Sequence, residues 1–468
     1  MGMLKKGRSV MEKYSLWVFG SIGAIIYSRD ALTNFINQGD TVALLSVINA
    51  GLDCLSKGIY SGCYVLHFPI FQYIPMAILR LYGAVDEVIL MNMIYINLAS
   101  FFIMILIVMW YFRDLKRNSV TLLFILSLIT SALFYYTKNT YNETTAAMIT
   151  LAFTIAALKR SHGGIIAILF ILAGITKEVA FPFLILIGVA CWIPQLKENW
   201  RSVKGQLIGL LIGALISLLI NSLFNYFRFA SFLNTFNMDP KLRVPSLGSH
   251  ISSFGGILFS PNAGILFFCT LFSILIGVVI FLTLKENLQR GSYFSYQVVQ
   301  SAIILAIIFG LIVGFSSWYA PYGWIAWGPR LILPWMPSLF ILTIALFPDP
   351  LKKFLDRLYS RNLFVGIAMI LIAFVATPQL GVMTGLDMMI RFFSLNVECP
   401  KGGNVLDDPD YYFQCLHNGT WTTRHLLLPG MFETPFRKGN RKPTLLYYLV
   451  LFSLVWTARN WHLKENRK

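Results

Sequence analysis

The apolar residues of this 468-residue chain fall into separate stretches of 15 to 25, each closed by a charged cluster. A helix rises 1.5 Å per residue, so about 20 apolar residues carry a chain across the hydrocarbon core of a bilayer. Repetition of that pattern constrains the fold more than any single motif. Composition agrees: 57% hydrophobic residues, 13% charged residues and a mean hydropathy of +0.67 leave too little polar surface to coat a water-soluble core of this size. The expectation is an all-α polytopic membrane protein with about 12 transmembrane helices, within a range of 10 to 13. The spans are placed near 14–28, 88–112, 118–137, 144–158, 163–176, 179–195, 205–226, 263–283, 296–316, 329–346, 362–378 and 444–458.

Lys and Arg resist translocation, so their distribution gives the orientation. With both termini inside, the short inner segments carry Lys5, Lys6, Arg8 and Lys13, then Arg113, Lys116 and Arg117, then Lys159 and Arg160. Lys197, Arg201, Lys204, Lys285, Arg290, Lys352, Lys353, Arg357, Arg361, Arg459, Lys464, Arg467 and Lys468 follow, so more than half of the 38 basic residues lie there. This arrangement and an anionic inner leaflet account for most of the net charge of +17 without a nucleic-acid partner. The first hydrophobic stretch lacks a small-residue cleavage site and reads as a retained span.

The predicted organisation is a transmembrane catalytic domain over 1–378 with a first outer loop at 29–87, an outer insert at 379–443, and a last helix and inner tail over 444–468. The outer loops are too long to be simple connectors. The first contains Asn37-Gln38-Gly39-Asp40 just after a span, then Gly58-Ile59-Tyr60 and Tyr64-Val65-Leu66-His67-Phe68-Pro69. The second, 227–262, ends in Phe259-Ser260-Pro261-Asn262-Ala263-Gly264, and a short loop reads Trp318-Tyr319-Ala320-Pro321-Tyr322-Gly323-Trp324-Ile325-Ala326-Trp327-Gly328-Pro329-Arg330. Cys191 and Cys269 sit in apolar spans as packing residues, whereas Cys54 with Cys63 and Cys399 with Cys415 share outer loops and can form disulfides in an oxidising compartment. The second pair is favoured, because a small insert gains from a staple. Asn142-Glu143-Thr144 and Asn418-Gly419-Thr420 are formal glycosylation sequons.

A first span, a long outer loop with an early Asp40, the Gly58-Ile59-Tyr60 step and the Phe68-Pro69 step into an amphipathic helix together resemble the C-type glycosyltransferase superfamily, polytopic enzymes that use polyprenyl-phosphate-linked sugars. Gly174-Ile175-Thr176-Lys177-Glu178, the Ser260-Pro261-Asn262-Ala263-Gly264 turn and the Gly323-to-Arg330 segment resemble elements of bacterial members. Family members often carry two consecutive prolines where this chain has Phe68-Pro69. The resemblance implies a bacterial inner (plasma) membrane, or the ER, with the active site on the periplasmic (or lumenal) face.

Moving a sugar from a lipid phosphate to an acceptor hydroxyl needs a base, positive charge for the departing phosphate and access for a lipid tail. Asp40 is the candidate base, at the outer surface where an ionised side chain escapes the cost of the bilayer centre. The bland reading is an N-cap for a helix starting at Thr41. Asp53 falls more than three turns, about 20 Å, further along that helix and reads as solvent-facing, while Asp30, Asp86 and Glu87 read as interfacial charges.

Arg330 is the candidate for the leaving phosphate, because its planar fork binds two phosphate oxygens; snorkelling at a helix end is the alternative. Lys177, beside Glu178 in a short outer turn, is the second phosphate candidate, with a plain salt bridge as the alternative. Arg228, Lys241 and Arg243 read as solvated loop charges, with collection of an anionic lipid head as the alternative. Tyr60, Tyr64, His67, Trp324 and Trp327 are candidate sugar or acceptor contacts, although aromatic residues collect at membrane interfaces regardless. There is no zinc-type His/Cys cluster, yet a divalent cation (Mg or Mn) on phosphate would need only one or two carboxylates, for which Glu143 and Glu178 are candidates with Asp40.

Phosphate-binding glycine loops, a Gly-x-Ser-x-Gly elbow and dinucleotide signatures are absent, which argues against ATP-driven and soluble-nucleotide chemistry. The expected function is an inverting transfer of sugar to a glycan, lipid or protein acceptor. The alternatives are a secondary transporter or lipid-linked sugar flippase, and a polysaccharide polymerase or ligase. Transporters tend to show related halves, interrupted helices and buried ionisable residues, and these halves differ.

Overall fold

The computed structural model describes residues 39–63, 70–115, 118–137, 141–195, 200–235, 243–244, 246–260, 264–318, 329–360 and 441–465. Within them the chain is helical, apart from one isolated bridge between Arg243 and Trp318. The helices are α1 (Gly39–Ser56), α2 (Ile70–Leu81), α3 (Asp86–Asp114), α4 (Asn118–Ile129), α5 (Leu133–Tyr136), α6 (Glu143–Leu158), α7 (Gly163–Thr176) and α8 (Ala180–Trp192). They continue as α9 (Trp200–Phe229), α10 (Leu247–Phe259), α11 (Ile265–Phe268), α12 (Thr270–Gln289), α13 (Tyr296–Ser316), α14 (Met336–Leu346), α15 (Pro348–Ser360) and α16 (Arg441–Glu465).

Among the described residues four stretches are both long and apolar enough to cross a bilayer: Asp86–Arg113, Val203–Phe229, Thr270–Gln289 and Tyr296–Ser316. Shorter apolar helices complete the bundle, which is that of an integral membrane protein. The expected spans at 14–28 and 362–378 lie outside the described residues. Two expected spans are corrected: 118–137 is interrupted between α4 and α5, and 263–283 is interrupted between α11 and α12. The two breaks seal one another, because the Ala132 amide donates to the Phe268 carbonyl at 2.8 Å. Hydropathy averages over such a break because Thr130 and Ser131 return their hydroxyls to the preceding turn, at 2.7 and 2.8 Å.

The centre of the bundle is α6, which is buried along nearly its whole length and packs against α3, α7, α8 and α14. Its buried threonines are satisfied sideways: Thr145 Oγ1 donates to Asn97 Oδ1 of α3 at 3.0 Å, and Ser338 of α14 donates to Thr150 Oγ1 at 3.1 Å. Helices α7 and α9 approach backbone to backbone. A methyl group on Gly209 would strike the carbonyl and Cα of Gly163, and one on Gly213 would lie 2.8 Å from the Ala167 carbonyl oxygen. Only glycine permits that contact, which is the small-residue packing of helices that lack a hydrophobic driving force in lipid.

Contacts at the two ends of the bundle fix the relative direction of its described helices. Lys159 after α6 lies 3.4 Å from the centre of the Trp110 ring near the end of α3, so these helices run parallel with Asn97 and Thr145 level. At that same end α15 is fixed by Lys353 to Glu286 of α12 at 2.8 Å and by Asp356 to His462 of α16 at 2.7 Å. All of these charges belong to segments the charge pattern assigns to the inner face, and the starts of α6 and α14 meet at the other end.

Helix α1 starts at Gly39, two residues before the expected cap boundary. It packs on α2 where Gly51 leaves no space for a Cβ beside the Tyr73 hydroxyl. Helix α10 has no counterpart among the expected elements, because its serines and glycines make the stretch polar on one face.

Candidate active site

Glu143, fully buried at the first turn of α6, is the centre of a charged cluster drawn from three separate segments. Its neighbour Asn142 donates from Nδ2 to the carbonyl of Thr176 at 2.8 Å, which ties the start of α6 to the end of α7. The next residue, Lys177, leaves the helix in an extended conformation and donates from Nζ to Glu143 Oε1 at 3.0 Å. Arg330 follows Pro329, whose carbonyl accepts from Ile332 and opens the turn into α14. Its Nε donates to the same Glu143 Oε1 at 2.8 Å, and its guanidinium carbon stands 3.6 Å from the centre of the Tyr141 ring. Tyr136 packs beside Tyr141 with ring centres 5.8 Å apart, close enough to couple electrostatically to Arg330 and Glu143.

Two cations share one carboxylate oxygen. The side chains of Lys177 and Arg330 keep 16% and 18% exposure, whereas Glu143 keeps none. Among the described residues Glu143 Oε2 accepts no hydrogen bond. Burial pulls the Lys177 ammonium below its ordinary value; Glu143 opposes this and Arg330 adds to it. Water-poor surroundings strengthen each pairing, and two partly exposed cations side by side are suited to an anion.

The sequence neighbours Lys177 and Glu178 do not pair with each other, which corrects the salt bridge their adjacency suggested. Consecutive side chains diverge here: Lys177 turns to Glu143, and Glu178 accepts from Asn234 at 3.3 and 3.4 Å and is the carboxylate coupled to Arg228. Arg228 is buried against the Phe224 and Phe229 rings and is not a solvated loop charge. Arg243 bonds Ser317 Oγ at 3.4 Å. Both cations occupy Oε1 of Glu143, and Glu178 has partners of its own. No group of three or more His, Cys, Asp or Glu side chains gathers among the described residues.

Asp40 falls in the first turn of α1. Asp53 is exposed and pairs with Lys57 at the end of that helix. Cys54 and Cys63 form a disulfide with Cα atoms 6.1 Å apart, and the loop they close carries an exposed Tyr60. The favoured pair Cys399 and Cys415 lies outside the described residues, as do Tyr64, His67, Trp324, Trp327 and Asn418. The disulfide loop is pinned to the last turn of α9 by the Cys63 amide, which donates to the Phe227 carbonyl at 2.9 Å. Asn142 is buried with its amide engaged, so its sequon is closed to modification. Tyr141, Tyr136 and the Asn142–Thr176 tie escaped sequence reasoning, although the short Tyr141-Asn142-Glu143 run between two apolar stretches was a usable signal.

No protein-family model matches the chain, and no curated protein matches it by sequence. Among solved structures it is similar to ArnT from Cupriavidus metallidurans in the apo state, at 13% identity and a TM-score of 0.48. It is also similar to ArnT from the same organism bound to undecaprenyl phosphate, at 15% identity and a TM-score of 0.45. Each match covers 90% of this chain and 78% of the other.

Proposed function

We propose that this chain is a membrane glycosyltransferase that moves a sugar from a polyprenyl-phosphate donor to an acceptor on the outer face. The observation that carries the reading is the meeting of Arg330 and Lys177, the two residues assigned to phosphate from sequence, on one carboxylate 2.8 and 3.0 Å away. They come from segments 153 positions apart in the chain, 177 and 330, and chance pairing of surface charges does not bury a carboxylate between them.

In this reading the acceptor oxygen attacks the anomeric carbon opposite the phosphate, so the configuration inverts. The carbon–oxygen bond to phosphate breaks, the electron pair leaves with the phosphate, and Arg330 and Lys177 stabilise the charge that develops there. Asp40 takes the acceptor proton. The Cys54–Cys63 disulfide, tied through the Cys63 amide to the last turn of α9, supports placing this end of the bundle in an oxidising compartment.

Purified protein in liposomes with labelled polyprenyl-phosphate sugars tests the reading. Asp40→Asn is expected to slow transfer by roughly 10² to 10⁴, and Arg330→Gln by roughly 10² to 10³. Full activity of Asp40→Asn eliminates that base. The interrupted spans that meet at Ala132 and Phe268 favour a second reading, a transporter or flippase; ion-coupled uptake without any sugar transfer would establish it instead.

A further inference from the structure

We infer that Glu143 is a positioning residue, a buried carboxylate whose work is to aim Arg330 and Lys177 at the donor phosphate. The inference rests on the glycosyltransferase reading and extends it to a residue that would touch neither sugar nor phosphate.

Three observations carry it. First, Glu143 is anchored independently of the cations it holds. It stands in the first turn of α6, which Asn142 fastens to α7 and which Asn97 fastens to α3 through Thr145. Second, the carboxylate spends its hydrogen bonding on those cations alone: both donate to Oε1, and Oε2 accepts nothing among the described residues. Third, Arg330 is constrained on two sides, by the bond from Nε to Glu143 and by the Tyr141 ring against its guanidinium. A guanidinium held through Nε and one face has its direction fixed, and directional donors bind a planar set of phosphate oxygens better than a swinging side chain does. A carboxylate buried merely for stability is a poor device, since its desolvation tends to cancel the attraction, so a role in orientation accounts better for its presence.

Glu143→Gln keeps the shape and removes the charge. It is expected to lower transfer by about 10- to 100-fold, the range seen when groups that orient ligating side chains are removed. Adding Glu143→Gln to the double variant Arg330→Gln/Lys177→Gln is expected to cost nothing further, because the carboxylate acts through those two cations. Transfer within about twofold of wild type for Glu143→Gln, or a further loss when it is added to the double variant, would overturn the inference. A second readout needs no activity: labelling of the Lys177 amine by a small acylating reagent across pH, followed by mass spectrometry. Loss of the Glu143 charge leaves burial and Arg330 acting on Lys177, so its labelling midpoint moves to lower pH in Glu143→Gln. An unmoved midpoint counts against the inference. If the glutamine variant does not fold, Glu143→Asp retains the charge one methylene shorter; it should keep the Lys177 midpoint near wild type while transfer still falls, and unimpaired transfer would overturn the role. Should wild type neither transfer sugar nor bind a short-chain polyprenyl phosphate, the glycosyltransferase reading fails, and the Lys177 midpoint alone decides whether Glu143 governs its neighbours.

Discussion

Replacing Gly209 by Ala adds one methyl group at the place where α7 and α9 touch through their backbones. The methyl would overlap the Gly163 carbonyl and Cα, which belong to a helix and cannot rotate aside as a side chain would. The helices must therefore separate, and overpacking of this kind costs about 1–3 kcal/mol. Alanine also favours a helix over glycine by about 0.5–1 kcal/mol, which offsets part of the loss. Gly205→Ala, one turn away, supplies the control: nothing lies within 4 Å of its added Cβ, so it is expected to gain that propensity alone. The two variants should differ by about 1–3 kcal/mol, and their signs relative to wild type should be opposite. Cys191 and Cys269 are buried and not disulfide-bonded, so a thiol-reactive dye followed during thermal or denaturant unfolding reports the difference. Lys177 follows α7 directly, so splayed helices would also draw its ammonium from Glu143 and lower transfer. Equal stability of the two alanine variants would refute the glycine contact.

Cys54→Ser should destabilise the same unfolding transition by about 2–3 kcal/mol, the value for a loop of this length, and non-reducing mass spectrometry should find the Cys54–Cys63 peptide in the wild type; free thiols there would remove the staple. Tyr60→Cys, at a position 70% exposed, should react with a membrane-impermeant maleimide from outside, while Arg290→Cys, at a side chain 71% exposed, should react only after permeabilisation; the reverse pattern would invert the proposed orientation. Expressed in a secretory pathway that adds N-linked glycans, Asn142→Gln should cause no mobility shift, and it should lower stability by about 1 kcal/mol through the lost bond to Thr176; a shift would contradict the burial.

Hydropathy located the membrane helices well wherever the apolar run is unbroken, as in α3, α9 and α13, because burial in lipid depends on the bulk of the side chains. It failed at Thr130–Ala132 and at Cys269, where the backbone turns without a change in average polarity. Arg330 and Lys177 were legible as a pair because each stands at the mouth of an apolar stretch. Their partner was not. Glu143 lies 34 positions before Lys177, so adjacency directed attention to Glu178, whose side chain leaves on another side. Tyr141 was passed over for a similar reason: the Tyr141-Asn142-Glu143 run is visible between two apolar stretches, but an aromatic residue beside a span reads as part of an interfacial belt until a guanidinium is found above it.

The joint between Ala132 and Phe268 bears on how the protein is made. The amide of Ala132 finds its acceptor only in a residue synthesised 136 positions later, 132 and 268 being the two ends. At about 5–20 residues per second that interval is on the order of ten seconds, during which a backbone donor placed in lipid would cost several kcal/mol. The nascent segment from α4 to α5 therefore has to wait beside water, a neighbouring helix or the insertion machinery, and enters its final place together with α11 and α12. Assembly of this bundle is in that respect not a series of independent insertions: its third expected span is completed by its eighth.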